Sequence, residues 1–359
     1  MRTRTRTPFV LSFAVALMGL CAPPGAHAQQ PGFDRLAPDV FDVVPPSALV
    51  RGAPGRMTIQ ATACRALPTS ETRRRIVDVA VQEWGFFGFR VVDETVVEER
   101  IVAGFGGGSS PEPRGGRRRP RMSAEEATRV AASIAGYWAV TPEGSWIVER
   151  QNDRWNGPGG TGARWNAPWS AAFISWVMCE AGLGERDQFR RAVAHHSYID
   201  QAIRARDGRA SEAAFTAHDA GEAAIEPGDL LCTSRRPVYR TIAARRRQMG
   251  VGARSHCDVV VGVDEARGRV LAIGGNVRGT VSLKLFPAAR EAGTPLRLKT
   301  AGGGDRPMFA HLKLQASAIE ANALDASPTI KVVGCVIGSE RPLLVTATVA
   351  APMVVAGRC

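Results

Sequence analysis

The sequence predicts an α+β fold, with N-terminal helices packed on a small antiparallel β-sheet. Three observations carry this expectation. Apolar residues recur at helical spacing through the first half of the 359-residue chain. After Pro227-Gly228-Asp229 the pattern changes to short β-type segments. The turns between several of those segments are short and contain glycine, which favours antiparallel pairing. Helices first and strands afterwards give segregated layers.

Taken in order, residues 29–70 hold scattered prolines with little periodicity and read as an extended leader, with Cys64 as its one evident anchor. From Arg73 to Trp84 the positions Ile76, Val77, Ala80 and Val81 define a packed helix, and the aromatic residues at its end, Trp84, Phe86, Phe87 and Phe89, read as core. Residues 104–121 form a Gly, Pro and Arg run that reads as a surface loop and lacks the Gly-Lys-Ser/Thr ending of a phosphate loop. Ser123 and Glu126 make a capping box for a helix running through Ile134 towards Trp138, and a loop is expected from Asn152 to Ala167. The next helix begins at Pro168 or Trp169 and stops at about Glu180 before Gly182, and another spans roughly Asp187 to Arg204. Strands are expected at Leu230 to Cys232, Cys257 to Val263, Arg269 to Ile273, Val281 to Phe286 and Met308 to Leu314. The divisions are therefore a segment 1–28, the leader 29–70, a principal domain 71–316 and a C-terminal extension 317–359. Within the extension, the apolar run from Leu343 to Val355 contains Pro352 and is shorter than a membrane span.

Segment 1–28 has Arg2, Arg4 and Arg6, an apolar stretch from Phe9 to Leu20, and the small-residue pattern Ala26-His27-Ala28. That order predicts a secretory signal cleaved after Ala28 and a periplasmic or secreted protein without an integral membrane segment. Leu20 is larger than the small residue that normally precedes an acylated cysteine, which argues against a lipid on Cys21. The formal charge is +12, and losing the three arginines of the signal leaves about +9. Outside the cytoplasm such a charge suits anionic envelope polymers rather than nucleic acid, although solvated surface charge explains it equally well. Cys64, Cys179, Cys232, Cys257, Cys335 and Cys359 remain, an even set in a compartment that permits disulfides, with the pairing left open. Without a C-x-x-C pair, neither a structural zinc nor a redox motif is expected. His195 and His196 are adjacent, so on a helix they diverge by about 100°, and no third ligand accompanies them. One is expected to pack near a cleft and the other to be exposed, and no cofactor or metal is expected. The arginine cluster from Arg235 to Arg254, with Tyr239 inside it, reads as a disordered basic loop or an envelope contact.

The segment Trp169-Ser170-Ala171-Ala172-Phe173 resembles the nucleophile helix of the CHAP amidases and NlpC-type peptidases, which carry Trp-Cys-Ala-Ala-Phe or Asp-Cys-Ser-Gly there. Pro227-Gly228-Asp229-Leu230, Ser255-His256 and Gly274-Gly275-Asn276 follow in the family's order, so the resemblance covers roughly Trp169 to Phe286. The chain is also similar to an uncharacterised branch of that superfamily, classed as a domain of unknown function. The resemblance implies a papain-like fold and an amide hydrolase acting on peptidoglycan peptides. It assigns Ser170 as nucleophile, His256 as base and Asn276 as the residue that orients the imidazole.

The chemistry of these types is coherent up to one atom. A nucleophile in the first turn of a helix sits among backbone N–H groups that lack intrahelical partners, at the positive end of the dipole. Those groups suit an oxyanion. A cysteine ionises against histidine before attack, so an amide suffices as orienter; a serine loses its proton during attack and benefits from a carboxylate. Asp258 is the available carboxylate, two residues from His256 and so on the same strand face. Cys179 on the helix and Cys257 on the strand face away from the site and do not replace the missing thiol. The competing reading is a wall-binding module on the same fold without catalysis.

Overall fold

Eight strands join in one sheet, and their spatial order departs from chain order. The computed structural model describes residues 33–60, 63–95, 124–290, 294, 296–298, 306–337, 343–345 and 353–355. A two-strand hairpin, β1 (Val50–Arg51) and β2 (Thr58–Ile59), comes first, then α1 (Thr72–Phe86), β3 (Arg90–Asp93), α2 (Ala124–Ala139), α3 (Gly144–Asn156), α4 (Ser170–Glu180) and α5 (His196–Arg206). The sheet region follows with β4 (Phe215–His218), β5 (Leu230–Arg236), α6 (Ile242–Arg246), β6 (Arg254–Asp264), β7 (Arg269–Val277), β8 (Thr280–Ala289), β9 (Arg297–Leu298) and β10 (Met308–Leu314). Two short helices, α7 (Ala323–Ala326) and α8 (Pro328–Ile337), and a hairpin of β11 (Leu343–Val345) and β12 (Met353–Val355) complete the described elements. The elements belong to one compact unit, Pro31–Cys359.

The sheet runs β3-β8-β7-β6-β5-β10-β4, with β9 attached to β8. It is mixed α+β as expected, but the sheet is larger than the small antiparallel one predicted. β3 pairs with β8 in parallel, Val91 opposite Leu283, while the other pairs are antiparallel. β3 escaped the sequence reading because its four residues follow an aromatic helix end directly. α3 occupies part of the expected loop from Asn152, and the segment before His196 is not helical.

Alternation along the strands sends side chains to two faces. Val259, Val261 and Ile273 join the main core with α1 and α4, whereas Val260, Ala272 and Val270 join a smaller cluster with Leu231, Phe286 and Ala288. Every residue of α4 is buried, so this helix is the centre of the domain rather than an amphipathic cover. At Gly275 a Cβ would come within 2.6 Å of Phe173, so glycine is what lets α4 lie this close to β7.

The leader is part of this core instead of lying loosely along it. Phe41, Val43, Leu49 and Met57 are buried. Asn152 of α3 clamps the Met57 backbone, accepting from its N–H at 3.0 Å and donating to its carbonyl at 2.8 Å. Cys64 is disulfide-bonded to Cys179 at the end of α4, 115 residues on. The second disulfide, Cys232–Cys257, links directly paired positions of β5 and β6. Both cysteines read as facing away from Ser170 are thus in disulfides. The arginine cluster is ordered: Tyr239 is buried, and Arg245 is buried in a bidentate pair with Asp200 at 2.7 Å. The side chains of Cys335 and Cys359, the expected signal segment 1–28, the expected loop 104–121 and Ser123 of the expected capping box lie outside the described residues.

Candidate active site

Ser170 is the first residue of α4, and only 8% of its surface is exposed. The preceding Trp169 is stacked between Phe87 and Tyr137, with ring centroids 5.8 Å away on each side, which fixes where the helix begins. The first intrahelical bond from this start is Phe173 N–H to the Trp169 carbonyl, so the N–H groups of the opening residues point out of the helix end.

The imidazole against Ser170 is that of His195, not His256. Ser170 Oγ lies 2.7 Å from His195 Nε2. His195 reaches this position because residues 186–195 form a pinned irregular segment. Gln201 of α5 donates to the Asp187 carbonyl at 2.7 Å and accepts from the Arg190 N–H at 2.6 Å. Ser175, one turn along α4 from the site, bonds both polar backbone atoms of Ala192. Phe189 stacks on Tyr198 at 4.8 Å. The far ring nitrogen, Nδ1, meets the hydroxyl of Tyr198 and accepts from the backbone N–H of Cys257 at 3.3 Å. That N–H is available because the paired register of β6 with β7 starts only at Val259.

His256 belongs to a separate cluster. Its Nε2 lies 3.0 Å from Asp258 Oδ1, and Lys284 donates to Asp258 Oδ2 at 2.8 Å across the intervening strand β7. A Cβ on Gly274 of β7 would stand 1.9 Å from Asp258 Oδ1 and 3.0 Å from His256 Nε2, so this triad exists only over a glycine. Since a carboxylate only accepts, His256 carries its proton on Nε2. Asp258 is therefore bonded to His256 from the shared strand face, but that is the face of Val260, Ala272 and Lys284, opposite the one on which α4 packs. The two imidazoles lie 5.4 Å apart between ring centroids, and no hydrogen bond joins His256 to Ser170.

Asn276 does not orient an imidazole. It adopts φ +55° where the pairing of β7 with β8 shifts register between Gly274 and Val277, just before the two-residue turn Arg278-Gly279. Asparagine tolerates this left-handed conformation better than most side chains, which accounts for its place in a bulge. His196 is half-buried, with Nδ1 3.2 Å from the Ala253 carbonyl. Among the described residues no group of three His, Cys, Asp or Glu has the placement of a metal site.

The electrostatics separate the two histidines. Burial, and then the neighbouring His256, push the His195 imidazole well below its ordinary range, so it is neutral at physiological pH. Burial also lowers His256, with Asp258 opposing the shift. Burial works against ionised Asp258, yet Lys284 and His256 outweigh it and hold the carboxyl well below the usual carboxylate range. Burial raises the Tyr198 hydroxyl well above its ordinary value, so it remains a neutral donor and acceptor.

Sequence reasoning placed Ser170 at the helix start and Asp258 beside His256, but missed His195 as the partner of Ser170 and missed Lys284. The only local signal for the first was a histidine three residues before Tyr198. A contact spanning 25 positions through an irregular segment leaves no periodicity to find.

A buried serine and histidine at the start of a central helix, beside a sheet carrying a His–Asp–Lys cluster, define the chain as an α+β protein with a candidate nucleophilic centre. Residues 127–314 match the family described as uncharacterized protein conserved in bacteria, DUF2272, and the chain belongs to that family. The match takes in Ser170, His195, Tyr198, His256, Asp258 and Lys284. No curated protein and no solved structure matches the chain.

Proposed function

We propose that this protein is an exported amide hydrolase of the cell envelope, acting on peptidoglycan peptides from a papain-like scaffold of the NlpC/CHAP type. The observation that carries the reading is the 2.7 Å contact between Ser170 Oγ and His195 Nε2 at the first residue of a helix. Nucleophile and base in hydrogen-bond reach, with the base held by a third group, is the arrangement that covalent acyl transfer requires. The reaction needs the tautomer with its proton on Nδ1, which gives up the bond from the Cys257 N–H and frees the Nε2 lone pair; Ser170 Oγ then bonds to the amide carbon while its proton moves to His195 Nε2. His195 Nδ1–H is then held by the Tyr198 oxygen, and the opening N–H groups of α4 face the oxyanion. The C–N bond breaks as His195 returns the proton to the leaving amine. Water, activated by His195, then hydrolyses the acyl-serine. His256, Asp258 and Lys284 form a charged wall behind the pair and do not touch Oγ.

The second reading, a wall-binding module without turnover, also has a specific observation in its favour. A backbone N–H only donates, so the bond from Cys257 to His195 Nδ1 favours the tautomer with the proton on Nε2. Ser170 Oγ then accepts from His195, and among the described residues no carboxylate contacts His195 to stabilise its imidazolium. One experiment separates the two. The chain starting at Gln29 and its Ser170→Ala variant are incubated with intact sacculi, and soluble fragments are identified by mass spectrometry. The hydrolase reading expects new peptide fragments from the first protein and none from the second. Equal release by both removes Ser170 as nucleophile, and no release by either, with salt-sensitive retention on sacculi, establishes the binding module.

A further inference from the structure

A cleft of about 460 Å³ reaches the segments that precede both members of the serine–histidine pair. Pro168 and Val193 line it, each two positions before a member of that pair, while Ser170 and His195 themselves are not in its lining. Its size falls in the range of small-molecule sites. One wall is a stripe of α3 in which Trp146, Arg150 and Arg154 repeat at four-residue spacing and therefore share a face. Trp146 is 56% exposed, unusual for a tryptophan, and Arg150 stacks on it at 4.8 Å. Arg150 and Arg154 are exposed, and neither has an ion pair among the described residues. Some arginines elsewhere on the fold are paired, such as Arg206 with Glu222 and Arg246 with Asp207, while others, Arg240 and Arg247 among them, have no ion pair among the described residues either. Two exposed guanidinium groups and an exposed indole on one helix face suit a ligand rich in acceptors and negative charge.

We propose that this cleft is the substrate subsite, and that it selects an acidic peptide with two carboxylates spaced to meet Arg150 and Arg154, about 5–6 Å apart at their Cβ atoms. Arginine pairs with carboxylates through two parallel bonds, so such a peptide is fixed in register as well as attracted. The assignment rests on the hydrolase reading for its view of the ligand as substrate, but its test does not need turnover.

Binding is measured by calorimetry on the Ser170→Ala protein, using the γ-glutamyl tripeptide of the wall stem with its carboxylates free or fully amidated. Free tripeptide is expected to bind at least about 10-fold more tightly than the amidated form. Arg150→Gln/Arg154→Gln in the same background is expected to erase that difference. The control Arg240→Gln/Arg247→Gln, with the same change in charge at exposed positions, is expected to retain it. Equal binding of both peptides, unchanged binding by the cleft variant, or equal loss in the control overturns the subsite. If binding depends on the cleft arginines while wild type cleaves nothing, the hydrolase reading falls and the subsite stands. If wild type cleaves both peptides with a KM indifferent to Arg150 and Arg154, the subsite falls and the hydrolase reading stands.

Discussion

His195 and His256 lie 5.4 Å apart, ring to ring, and each has half of what a serine triad needs. Among the described residues, His195 has the hydroxyl of Ser170 and no carboxylate, and His256 has the carboxylate of Asp258 and no hydroxyl. The difference follows from how each is delivered. His256 lies on a strand, where alternation binds it to the face of Asp258 and so away from α4. His195 comes from an irregular segment free of that rule and enters where β7 has left β6 unpaired. A histidine–aspartate pair is accordingly no mark of a catalytic centre by itself. The same sheet holds another, His311 with Asp229 at 2.8 Å, which Arg73 completes at 2.9 Å as a buried clamp between α1, β5 and β10.

On the hydrolase reading, the largest effect expected from this contrast is on turnover. Ser170→Ala and His195→Ala should each lower kcat/KM on the order of 10⁴-fold, the loss seen when a member of a serine triad is removed. His256→Gln should lower it by less than about 10-fold, because His256 touches no reacting atom. Steady-state hydrolysis of one wall peptide compares them, and the reverse ranking would make His256 the base after all.

Next in size is the stability of the His256 cluster. Asp258→Asn leaves Lys284 buried without its counter-charge, and such a break costs about 3–5 kcal/mol. Asp258→Asn/Lys284→Met should recover most of it, since removing both charges leaves none unpaired. Urea unfolding reads both variants. A stable Asp258→Asn protein with turnover reduced as far as Ser170→Ala would show that the two halves act as one relay.

The pH dependence distinguishes the histidines further. With His195 held well below its ordinary pKa, the hydrolase reading expects activity to be lost on acidification at a lower pH than for a free imidazole base, about 6.5. The sign for stability follows from the same depression: the unfolded chain binds the proton more readily, so stability is fully present above about 6.5 and falls as the pH drops towards the folded value. His195→Asn should flatten that part of the stability curve, measured by thermal unfolding across pH.

The smallest effect calibrates burial without a partner. Asp78 of α1 is buried, with Oδ1 unbonded, and burial pushes its pKa up to about 7. Its folded value is raised, so its ionisation destabilises the native state increasingly as pH rises from the unfolded pKa through about 7. Asp78→Asn should therefore be neutral in acid and increasingly stabilising as the pH rises towards and beyond about 7. A uniform gain at all pH values would show that charge is not the cause.

The local pattern of the chain by itself determined that most helices precede most of the sheet, that Ser170 lies in the first turn of a helix, that Asp258 shares a strand face with His256, and that Cys257 takes the opposite face. These are matters of period and facing, which neighbouring residues encode. Only the tertiary structure decided that His195 meets Ser170, that Asn276 serves a bulge, that Lys284 reaches Asp258 over Gly274, and that β3 closes the sheet in parallel. Each depends on packing between segments far apart in the chain, where the approach of one backbone to another chooses the contact and no repeat in the sequence records it.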